Sequence, residues 1–248
     1  FREAILQKRL ETPAEQMLTL LPTRDMSALP SIEFVHPDTY EPIDAGQANL
    51  HYVANMFAKE TTEVSQVVGE TLGLVIRAAP DLASTHGAEL GAAFHSNDGK
   101  QFGLGMARLV QTTFQRSLRE AGPDSVRDYW ALERSMSEPA FVSGDYATCG
   151  APSMDQPNDV AKIARAKNRV IASALEGPKQ SAPAFSDADV TRFQALLWRQ
   201  IPSREIPSTE FDPITPRAKC ALGVAVARVM VNASDADLPL FNAINVAE

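Results

Sequence analysis

Along most of the chain, apolar residues recur at steps of three and four, the spacing that gathers them on one face of an α-helix. Val64, Val67, Val68, Thr71, Leu72, Val75, Ile76 and Ala79 make one such stripe, while Glu63, Ser65, Gln66, Glu70 and Arg77 fall away from it. Met106, Leu109, Val110, Thr113, Phe114 and Leu118 make a second, opposite Arg108, Gln111, Gln115, Arg116 and Arg119, and Gly122-Pro123 supplies its stop.

End signals predict further helices. Thr12-Pro13-Ala14-Glu15 carries a cap, a first-turn proline and a reciprocal glutamate, and opens an apolar arm over Ala4 to Leu21. Ser186 to Asp189 and Ser234 to Asp237 repeat the capped acidic first turn, opening helices through Trp198 and Phe241. Asp44 opens a helix with Ala48, Tyr52 and Met56, and Asp124 one with Val126, Tyr129, Trp130 and Met136. Asn158 or Asp159 opens one with Val160, Ile163, Ile171 and Leu175, ended by Gly177-Pro178. Ala218 to Val231 is apolar almost all round, as in a centrally buried helix. Strand signals are confined to the short runs Ile32 to Val35 and Phe141-Val142. Gly103-Leu104-Gly105 reads as a turn entering the Met106 helix.

The expected fold is therefore all-α, a multi-helix bundle of about eight or nine helices. Two long proline-containing loops interrupt it, Pro139 to Pro157 and Ile201 to Pro216. An N-terminal helical arm and strap over 1–43 would precede a main helical domain over 44–248.

Composition narrows the function classes. Of 248 residues 31 are acidic and 23 basic, a net charge of −8, which disfavours general binding of a phosphate backbone and leads us to expect no nucleic-acid partner. No apolar run reaches the length of an integral membrane segment. Arg outnumbers Lys by 16 to 7, a drift usual in GC-rich bacterial or phage genomes. The chain opens on Phe1 without a basic and apolar signal pattern, and the expectation is that its front has been processed or trimmed. The two cysteines, Cys149 and Cys220, allow one disulfide, whose loop of about 70 residues would be worth roughly 4 kcal/mol in an oxidising compartment. In a reducing one they would be two free thiols.

Cofactor motifs fail on their spacing, so no cofactor is expected. Gly99-Lys100 is followed by Gln101 and Phe94 stands at the first glycine of a phosphate loop, while Gly103-Leu104-Gly105 meets Arg108 where a dinucleotide fingerprint needs glycine. His36, His51, His86 and His95 form no His-Glu-x-x-His pair, and no metal site is expected. Cys149 has no base beside it, and no Gly-x-Ser-x-Gly elbow occurs.

One arrangement carries candidate chemistry. Glu89 precedes Asp98 by nine residues, and Asp98-Gly99 is followed by Phe102-Gly103-Leu104-Gly105. This stretch resembles the phage-type lysozymes, in which a helix-borne glutamate precedes an aspartate and a glycine-containing hairpin. The resemblance implies glycoside cleavage, with Glu89 protonating the leaving oxygen and Asp98 stabilising positive charge or activating water.

The expected function is a non-catalytic helical assembly or protein-interaction component of a bacterial or phage multiprotein complex. Its partners would be other proteins or further copies of itself. A lysozyme-like glycoside hydrolase using Glu89 and Asp98 is the alternative.

Overall fold

The computed structural model describes residues 45–96, 98–146, 148–149, 157–177, 183–201 and 215–246. Among them the protein is all-α, with nine helices and no strand: α1 (Ala45–Ala58), α2 (Glu63–Ala78), α3 (Pro80–His95), α4 (Gly99–Glu120), α5 (Pro123–Ser143), α6 (Pro157–Glu176), α7 (Asp187–Gln200), α8 (Pro216–Asn232) and α9 (Asp237–Val246). The arm over Ala4 to Leu21, its Thr12 cap, the Ile32 to Val35 run, the Asp44 cap and most of the Ile201 to Pro216 loop lie outside the described residues. The helices fall into two compact units that divide between Phe114 and Gln115, within α4.

In the amino-terminal unit α1 packs on both α2 and α3. Leu50, Val53 and Phe57 of α1 are buried, as are Val67, Leu72, Val75 and Ile76 of α2. Thr62 caps α2, its hydroxyl accepting from the Ser65 amide at 3.2 Å. At one point α1 meets α3 backbone to backbone: a Cβ on Gly87 would sit 2.1 Å from the Gly46 carbonyl oxygen. Only glycine permits that approach.

Helix α3 is not foreshadowed by apolar periodicity, because its inner face is small. Ala83, Gly87, Leu90 and Gly91 are buried at helical spacing, yet only Leu90 registers as a large apolar residue. The Gly103-Leu104-Gly105 turn is corrected as well, since these residues lie inside α4. Asp98 caps that helix, and Phe102 is buried in line with Met106 and Leu109, so the apolar stripe starts one turn earlier than expected.

The carboxy-terminal unit is arranged around α8, with Cys220, Ala221, Val224, Ala225, Val226, Ala227, Val229 and Met230 buried. Helices α5, α7 and α9 pack against it, and α6 packs on α5. Asn242 of α9 is fully buried; its amide donates to the Leu118 carbonyl and its oxygen accepts from Trp130 Nε1 at 3.4 Å.

The expected strand at Phe141-Val142 and the irregular stretch from Pro139 are corrected in their first part. α5 runs through Pro139 to Ser143 and stops at Gly144, which has a φ of 81°. A proline inside a helix costs about 3 kcal/mol. Here Phe141 packs against the buried Ile201, Ala221 and Ala225, which offsets that cost by keeping the last turn helical.

The glycines of the amino-terminal unit give opposite expectations. Gly87→Ala should lower stability by about 1–3 kcal/mol through overpacking. Gly73→Ala, where an added Cβ meets nothing within 4 Å, should raise it by up to about 1 kcal/mol through helix propensity. Urea unfolding of both variants decides this, and equal effects would refute the close crossing of α1 and α3.

Candidate functional site

The two carboxylates singled out by sequence have separate structural partners. Glu89 lies on α3 with 69% of its side chain exposed, and its Oε2 is 3.4 Å from Nδ1 of His86 one turn earlier. Asp98 is exposed and accepts from the Gln101 amide at 3.0 Å, the geometry of a helix cap. Only residues 96–98 separate α3 from α4, and the glycines that would form the hairpin of the resemblance are helical.

A second cluster joins elements far apart in sequence. Arg134 Nε lies 2.7 Å from Glu138 Oε2, one turn along α5, and Arg228 of α8 donates to Glu138 Oε1 from Nε at 3.1 Å and also from Nη2. The Arg134 hydrogen bond, with that of Arg228, holds the Glu138 carboxyl below the usual carboxylate range. A carboxylate occupied by two guanidinium groups is a poor proton carrier near neutral pH, so the cluster acts as a fastener between α5 and α8.

Beyond α5 the chain turns back toward the start of α8. Tyr146 lies 6.1 Å from Phe141 by ring centroids, and the Arg217 guanidinium stands 5.7 Å over its ring. Cys149 and Cys220 are bonded, with their Cα atoms 5.5 Å apart. On α5 itself, buried Glu133 accepts from the Tyr129 hydroxyl at 2.6 Å.

Helix α7 presents the third feature. Ser186 and Asp189 form a reciprocal capping box, and the Ser186 hydroxyl and amide hold the Asp189 carboxyl below its ordinary range. Phe193 is the helix's buried residue and stacks on Phe241 of α9 with centroids 5.2 Å apart. Arg192 lies 5.0 Å over the same Phe241 ring and pairs with Asp237 at 2.7 Å. The outer side is left to solvent: Trp198 is 43% exposed, and Phe185, just before the helix, 40%.

Glu89, Asp98, Cys149 and Cys220 stand out in the sequence, whereas the Glu138 cluster and the outer face of α7 do not. The spacing of Arg134 and Glu138 is a visible one-turn pair, whereas Arg228 lies 90 residues further on and no local pattern announces it. Among the described residues no group of three His, Cys, Asp or Glu is placed to hold a metal ion. No helix among them is long and apolar enough to cross a membrane. Compared with known families, curated proteins and solved structures, the chain shows no match to any of them.

Two measurements check these roles. Asp98→Ala should cost about 1 kcal/mol as a lost cap, while Glu89→Gln should stay within about 0.5 kcal/mol as an exposed pair; a reversed order in thermal melts would contradict the assignment. Glu138→Gln should cost about 1–2 kcal/mol at neutral pH. Because folding depresses the Glu138 pKa, its contribution is complete above the unfolded pKa and disappears as pH falls through the folded one. The difference between parent and variant in urea should therefore shrink in acid, and a gap that stays constant from neutral to strongly acidic pH would refute the cluster.

Proposed function

We propose that this chain is a non-catalytic helical assembly or protein-interaction component of a bacterial or phage multiprotein complex. The observation that carries the reading is the outer side of α7. A helix fastened on its inner side by Phe193 and Arg192 leaves Trp198 to solvent, with Phe185 exposed just ahead of it. Large aromatic side chains held out on a rigid element are the residue type that anchors protein interfaces, because they bury much area and lose little rotamer freedom. Further apolar exposure occurs in the same unit at Leu175 and Val142. The partner is a second copy of the chain or another protein, and the high ratio of Arg to Lys favours a bacterial or phage source.

Size exclusion with light scattering and native mass spectrometry of the full chain tests this. The expected result is a homo-oligomer or a complex of fixed stoichiometry, with Trp198→Ala weakening association at least tenfold while the melting temperature stays within about 3 °C. A strict monomer that forms no defined complex would overturn the proposal.

A further inference from the structure

The sequence holds two cysteines, and both are consumed in one bond. Their partnership is not local, since 71 positions separate them. Cys149 lies on the return segment five residues beyond the left-handed cap at Gly144, whereas Cys220 is buried in α8, at 3% exposure. Cys149 is only half-buried. The bond is the covalent member of a set that ties the return segment and the end of α5 to α8, beside the stacking of Arg217 on Tyr146 and the pairing of Arg228 with Glu138.

We propose that the Cys149–Cys220 bond is a permanent structural cross-link of the carboxy-terminal unit and that the protein accordingly works in an oxidising compartment. The separation of the two Cα atoms, 5.5 Å, falls in the ordinary range for bridged cysteines, so the surrounding fold accommodates the bond without moving backbone. Permanent bridges of this kind persist outside the reducing cytosol. In forming it, each thiol gives up one proton, and the two electrons pass to an oxidant of the disulfide class, which leaves as a dithiol. In the reverse direction a small thiolate attacks Sγ of Cys149, the more exposed of the two residues. The sulfur–sulfur bond breaks, a mixed disulfide forms on Cys149, and Cys220 departs as a thiolate that then takes a proton. A second thiol releases Cys149 and carries away the oxidised reagent.

The decisive experiment traps thiols by alkylation at lysis of the natural host, followed by peptide mapping of the full chain. A cross-linked Cys149–Cys220 peptide is expected, and recovery of both cysteines alkylated would overturn the compartment. On purified chain the oxidised form should melt roughly 10 °C above the reduced form. A Cys149→Ser, Cys220→Ser double variant should melt with the reduced form; should it fail to fold, reduced parent protein supplies the comparison. Coincident melting of oxidised and reduced protein would overturn the structural role. Brief exposure to glutathione should place the first adduct on Cys149, and an adduct first on Cys220 would refute the direction of exchange.

Discussion

A helix without a polar face has to be covered, and α8 imposes that requirement on the carboxy-terminal unit. Eight of its residues are buried, from Cys220 to Met230, and no single neighbour can enclose a helix on every side. α5, α7 and α9 together supply the cover. Small side chains at Ala221, Ala225 and Ala227 let these neighbours approach closely, so dispersion between well-packed atoms adds to the removal of apolar area from water. The consequence reaches into α5. Its last turn survives Pro139 because Phe141 is needed against Ala221 and Ala225, and the gain from that contact outweighs a lost backbone hydrogen bond.

Several polar groups of this cover are paired across helices. Arg228 sits within an otherwise apolar run and reaches Glu138, while Asn242 satisfies both Trp130 and the Leu118 carbonyl. These contacts select a geometry more than they add net energy: partial desolvation offsets part of the attraction between Arg228 and Glu138, whereas removing the partners of Asn242 would leave a fully buried amide unsatisfied. The amino-terminal unit meets the packing problem differently. Its α1 and α3 approach at Gly46 and Gly87, where backbone meets backbone and a side chain at Gly87 would clash.

That contrast explains what the sequence disclosed. The stripes of α2 and α4, the apolar run of α8 and the capping box of Ser186 and Asp189 were readable because large apolar residues or reciprocal polar pairs recur at fixed offsets. α3 was not, since Gly87 and Gly91 leave no hydrophobic signature on its buried face. Phe141-Val142 read as a strand because two apolar residues after a proline contain no period at all, and what makes them helical lies on α8 and at Ile201. Glu89 and Asp98 matched a pattern of spacing, but an aspartate before a glycine is also the ordinary way to start a helix, and Asp98 does so for α4. The Glu138 cluster and the bonding partner of Cys149 depend on long-range proximity, which spacing along a chain does not encode.

The same physics bears on the proposed role of α7. An exposed aromatic side chain on a loosely held helix would lose, on docking, much of what its burial provides, because ordering the helix costs conformational entropy. The inner side of α7 removes most of that cost beforehand. Phe193 stacked on Phe241, Arg192 held between that ring and Asp237, and Leu197 packed against Ala221 and Ala225 fix both the rotation and the position of the helix. Trp198 is then presented by a helix already held in place on α8 and α9, so its burial against a partner would need little further ordering of the backbone.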